Sequence, residues 1–176
     1  MTRRRKPQKQ PKPELVRDLT EWLGRVMIAA SQMEHALAIA LGDMLKLTKL
    51  QYSSLLIPMS TASKAKLLRQ LGQEYLTGST LKTLKRQLKE IEDCASLRNE
   101  LVHGFYGAKH GKFELITHSG AGRFSGQPVS WTPKSLEALC RRILAVSDTV
   151  PHLRHLFPKI LSRPKNRQPI VPSVVA

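Results

Sequence analysis

Apolar residues recur at three- and four-residue steps through most of the chain, which is the signature of amphipathic helices. Leu15, Leu19, Trp22, Leu23, Val26, Met27, Ala30, Met33, Leu37, Leu41, Met44 and Leu45 predict a first helix from Pro13 to Leu47. A second helix is expected after Pro58, opening near Ser60 or Thr61 with Ser63 and continuing through Leu67, Leu68 and Leu71. A third spans Thr80 to Val102, with Leu81, Leu84, Leu88, Ile91, Ala95 and Leu101 facing inward and Gly104 as its stop. The period then changes. The segments 113–117 and 127–131, on either side of the turn Ser119-Gly120-Ala121-Gly122, suggest a small β-hairpin. A last helix follows Thr132-Pro133, with Thr132 as N-cap and Pro133 in the first position, and carries Leu136, Leu139, Ile143, Val146 and Val150 on its apolar face. The fold class expected is all-α: an up-down four-helix bundle with a small hairpin between its third and fourth helices.

Two charged residues interrupt these stripes. Glu34 continues the inward series Leu23, Met27, Ala30 on the first helix, and Arg98 continues Leu84, Leu88, Ile91, Ala95 on the third. A buried charge without a partner is unfavourable, so an ion pair between Glu34 and Arg98 across two packed helices is the simplest solution. Such a pair serves equally well to orient the arginine or to stabilise the fold.

The charge is uneven. The chain has 176 residues and a formal net charge of +16. Residues 1–13 contain Arg3, Arg4, Arg5, Lys6, Lys9 and Lys12 with no acid, and residues 159–176 contain Lys159, Arg163, Lys165 and Arg167 with no acid. Both ends are proline-containing and lack an apolar cluster of helical period, so residues 1–13 read as a disordered basic tail, 14–158 as the domain, and 159–176 as a basic C-terminal tail. A polyanionic partner is expected, nucleic acid first among them; solvated tails that aid solubility are the alternative. No apolar run reaches the length of a membrane span, and the first residues lack a signal-peptide hydrophobic region. With only Cys94 and Cys140, a reducing, cytoplasmic location is expected.

The candidate chemistry lies at the end of the third helix, in Ser96-Leu97-Arg98-Asn99-Glu100-Leu101-Val102-His103-Gly104-Phe105-Tyr106. It joins a permanent cation to the one side chain that titrates near neutral pH, the pair needed to stabilise a phosphorane and shuttle a proton. Asn99 and His103, four apart, share a helix face. Arg98 points about 100° away from Asn99 around the axis.

The arginine, the polar residue after it, the short gap and the histidine resemble the HEPN family. What that resemblance implies is a homodimeric, metal-independent endoribonuclease with no cofactor, whose two motifs face each other across a symmetric interface. RNA is the partner implied, together with an antitoxin or defence-system protein where such nucleases act in toxin–antitoxin or phage-defence systems. By resemblance and chemistry together, His103 moves the proton of the ribose 2′-hydroxyl or of the leaving 5′-oxygen, Arg98 stabilises the pentacoordinate phosphate, and Asn99 bonds phosphate or the imidazole. Glu34 matches in character the acidic residue that HEPN proteins commonly keep on the first long helix. One departure stands out: nucleotidyltransferase-regulated members place a tyrosine two residues beyond the histidine, where this chain has Phe105, followed by Tyr106.

Other motifs carry less. Gly107-Ala108-Lys109-His110-Gly111-Lys112 has the wrong glycine spacing for a phosphate loop, and Phe113 stands where Ser or Thr would bind magnesium. Lys109, His110 and Lys112 remain an ordinary basic loop able to grip RNA, as do Arg3, Arg4, Arg5 and Lys6. His152 and His155 lie three apart on the expected last helix with no nearby carboxylate or cysteine in sequence, so no metal site is expected. Two other classes of function stay open: a noncatalytic HEPN-like RNA-binding or assembly module, and a basic helical DNA-associated protein acting through its tails.

Overall fold

A computed structural model of the chain describes residues 13–109, 112–116 and 131–157. These are mostly helical, in keeping with an all-α class. Helix α1 runs Pro13–Leu45, with proline in the first turn where its missing N–H is harmless. Leu19, Val26, Ala30, Met33, Leu37, Leu41 and Met44 form its buried stripe. The helix ends two residues short of the expected Leu47. Lys46 adopts a left-handed φ of 52°, and the amides of Leu47 and Lys46 donate to the carbonyls of Gly42 and Asp43. That pair of bonds is a Schellman closure, made here by a lysine where glycine is usual.

A short turn follows that the apolar pattern does not disclose. Helix α2, Lys49–Gln51, is closed by a reciprocal capping box between Thr48 and Gln51. It passes into a π-turn over Tyr52–Leu56. The ring of Tyr52 lies so close to Gly42 that a Cβ there would stand 2.9 Å from it. Helix α3, Thr61–Tyr75, opens on Ser60, whose hydroxyl accepts from the Ser63 amide at 3.1 Å. Helix α4, Gly78–His103, stops at Gly104 as expected, but Gly104 is extended (φ −79°, ψ 152°) rather than left-handed. The chain therefore leads straight from His103 into strand β1, Phe105–Lys109.

Strand β1 pairs antiparallel with β2, Lys112–Ile116, in a register that sets Phe105 opposite Ile116 and Lys109 opposite Lys112. The strand expected from 113 onward is present as β2, and it pairs with a strand, β1, that the sequence reading did not include. Strand formers at Phe105 and Tyr106 support β1, and a short connection between the two strands loses little entropy on closure. Lys109 and Lys112 consequently end two strands instead of belonging to one basic loop. The expected turn at 119–122, the strand residues 127–130, His110, both basic tails and Arg3, Arg4, Arg5 and Lys6 lie outside the described residues.

Helix α5, Pro133–Thr149, has Thr132 as its N-cap in a capping box with Ser135. Pro151 lacks an amide for the α-helical ladder, and the chain tightens to a 3₁₀ segment over Val150–Leu156. His152 and His155 sit on that segment, not on the helix proper, with ring centroids 6.2 Å apart. Packing centres on α1, which lies along α5 and the 3₁₀ segment; α3 packs on α4, and α4 also touches α1 and α5. Val26, Leu37, Leu41, Leu68, Leu84, Leu88, Ile91 and Ile143 are among the fully buried core. Among the described residues no helix is long and apolar enough to cross a membrane.

Candidate functional site

Where α1, α3 and α4 meet, one carboxylate faces two cations. Glu34 on α1 accepts a hydrogen bond from Lys64 Nζ on α3 through Oε1 at 3.2 Å, and its Oε2 lies 3.5 Å from Arg98 Nη2 on α4. The first is a hydrogen bond; the second is an ion pair longer than one. The Glu34–Arg98 pair is the one the interrupted apolar stripes predict. Lys64 is the partner that sequence reasoning missed, and it is 1% exposed. The signal was present, since Lys64 precedes the buried Leu68 by four residues and so interrupts the stripe of α3 as Glu34 does that of α1.

Glu34 and Arg98, but not Lys64, border a cleft of about 610 Å³. Glu34, Arg98, Asn99 and Ser96 wall one side, and residues 57–62, from the end of the π-turn to the first turn of α3, wall the other. Ser60 and Thr61 line it beside the apolar residues Ile57, Pro58 and Met59. Glu92, one and a half turns earlier on α4, also lines the cleft, and both its oxygens accept from Arg69 Nη2 of α3, at 2.8 and 2.7 Å. Two ion-paired crosslinks thus join α3 to the cleft, which hold its first turn against α1 and α4.

The structure brings Glu34, Arg98 and Asn99 to this one cleft. It does not bring His103 there. His103 is exposed at the last position of α4, one turn beyond Asn99 on the same face, where it favours the helix dipole. Asn99 is therefore the link, sharing a cavity with Arg98 and a helix face with His103. Lys109 and Lys112 follow on the hairpin that leaves α4, at its far end from Phe105. Among the described residues no group of three or more His, Cys, Asp or Glu side chains is arranged to hold a metal ion.

Arranged this way, the cleft can hold an anion against a guanidinium, with hydroxyl and amide groups beside it. An imidazole at the helix end is free to meet a group arriving from outside. Comparison of the chain with protein-family models, with characterised proteins and with solved structures gave no match.

Proposed function

We propose that the protein is a metal-independent endoribonuclease of HEPN type, an up-down four-helix bundle that works as a homodimer. The observation that carries this reading is Arg98, 27% exposed, on a cleft wall with Asn99, five residues before an exposed His103. A guanidinium so placed presents a fork of N–H donors to a phosphate and stabilises the charge that develops in the phosphorane. His103 has the chemistry to take the 2′-hydroxyl proton and to return one to the leaving 5′-oxygen. The products are a 2′,3′-cyclic phosphate and a 5′-hydroxyl. DNA lacks the nucleophile and is not a substrate. The exposed position of His103 suits a site completed by a second copy, since only a group outside the cleft can be delivered across an interface. The basic tails would hold RNA, and a toxin or phage-defence setting in the cytoplasm, with an antitoxin or other defence partner, completes the proposal.

One observation favours a second reading. His103 does not wall the cleft that holds Arg98, as expected of a noncatalytic RNA-binding module in which both residues are structural. Incubating the purified protein with labelled single-stranded RNA in EDTA, beside His103→Ala and Arg98→Ala, separates the two. Cleavage to cyclic-phosphate ends by the wild type alone supports the nuclease. Tight binding with no cleavage across several RNAs, unchanged by His103→Ala, supports the binding module.

A further inference from the structure

Lys64 is too deeply buried to touch a ligand, yet it bears on the charge that a ligand meets. The acids of the cleft wall are Glu34 and Glu92, and its one wall cation among the described residues is Arg98. Glu92 is satisfied by Arg69 from α3. Glu34 stands between Lys64 and Arg98 and can cancel only one of them. Lys64, with 1% exposure, has no water to fall back on and depends on the carboxylate; Arg98, 27% exposed, has water and the cleft. The distances agree, with Lys64 hydrogen-bonded at 3.2 Å and Arg98 held more loosely at 3.5 Å. The cluster therefore carries one surplus positive charge, and that surplus lies at the cleft surface on Arg98.

We infer that Lys64 is a positioning residue: by occupying Glu34 inside the protein, it leaves the Arg98 guanidinium held in place yet uncancelled, and so available to an RNA phosphate. Without Lys64, Glu34 would turn both oxygens to Arg98 in a bidentate pair, and the arginine would lose much of its attraction for phosphate. The inference rests on the proposed reading of Arg98 as a phosphate contact, but not on cleavage.

The test measures binding of a fluorescent single-stranded 2′-O-methyl RNA, which cannot be cleaved, as a function of salt. For single strands the logarithm of the binding constant falls with the logarithm of salt by about 0.7 for each phosphate contact. Arg98→Ala and Lys64→Met are each expected to lower that slope by about 0.7, and the double variant by no more than either alone, since both remove the same contact. Adding Glu34→Gln to Lys64→Met should restore the slope, because glutamine can still accept from Arg98 without cancelling it. A purely structural lysine predicts no such restoration.

A wild-type slope for Lys64→Met, beside a lowered one for Arg98→Ala, overturns the inference and leaves the Arg98 reading standing. A wild-type slope for Arg98→Ala overturns both. If circular dichroism shows that Lys64→Met alone does not fold, Lys64→Gln decides, since glutamine can still donate to Glu34 without cancelling its charge. A slope lowered to that of Arg98→Ala supports the inference, and a wild-type slope overturns it.

Discussion

The ammonium of Lys64 on α3 donates to Oε1 of Glu34 on α1 at 3.2 Å, which places a charge pair where three helices meet. The two partners are not equivalent. Lys64 is 1% exposed, whereas the Glu34 side chain is 30% exposed and has Arg98 in addition. Glu34→Gln should therefore destabilise the fold by about 3 kcal/mol, the lower end for breaking a buried pair, because glutamine keeps an acceptor but leaves the ammonium uncompensated. Lys64→Met should cost less, since the remaining carboxylate has both water and Arg98. Urea unfolding of the two variants checks the order; equal losses would contradict this asymmetry.

If Arg98 of one copy works with His103 of another, two inactive variants can repair each other. Mixing Arg98→Ala with His103→Ala and allowing subunits to exchange should restore about a quarter of wild-type RNA cleavage, because half the dimers are mixed and each has one intact site of two. RNA cleavage assayed before and after exchange reads this directly. No recovery after confirmed exchange would assign both residues to one protomer's site.

Cys94 sits inside α4 with 0% exposure, and burial pushes its thiol up, against a partial opposing pull from Arg142. The unfolded thiol thus ionises at lower pH than the folded one. Its contribution to stability is fully present below the ordinary thiol range and is lost as pH rises through the raised folded value. The protein should lose more stability between neutral and alkaline pH than Cys94→Ala does, measured by urea unfolding at each pH. Native Cys94 should also resist alkylation at pH 8 until the chain unfolds.

Gly72 lets α3 approach α4 closely. A Cβ at this position would overlap Leu84, itself fully buried. Overpacking of this kind outweighs the helix-propensity gain of alanine, so Gly72→Ala should lower stability by about 1 kcal/mol, read as a drop in Tm. The same shift would move the first turn of α3, with Ser60 and Thr61, on the cleft wall. RNA binding should therefore weaken in this variant even under conditions where it is fully folded.

Much of the helical frame is legible from the order of residues because its causes are local. Ser60 and Thr132 announce helix starts by capping amides three residues on, and the apolar steps of α1 and α4 reveal which faces are buried. Glu34 and Arg98 are recognisable as partners because each is the charged residue on an apolar stripe, a conflict that only a neighbour can resolve. Lys64 carries the same mark on a shorter helix, where the leucines at 67, 68 and 71 alone define the stripe and a lysine passes for a solvated one.

Other features follow from competition between distant or subtly unequal alternatives. The left-handed Lys46 and the π-turn after it let Tyr52 settle against Gly42, a fit that depends on packing. Strand β1 follows a helix directly, and its pairing with β2 depends on the path of the chain out of α4. The separation of His103 from Arg98 is local, because both lie on α4 and five residues of helix set them about 140° apart; packing decides only that Arg98 is the one turned to the cleft. By itself the sequence determined the four long helices, their buried faces and the need for a counter-ion at Glu34, because these arise from neighbours three or four residues apart. Only the tertiary structure decided that Glu34 serves two cations and which of them is left facing the cleft, because that depends on which helix shields its charge from water.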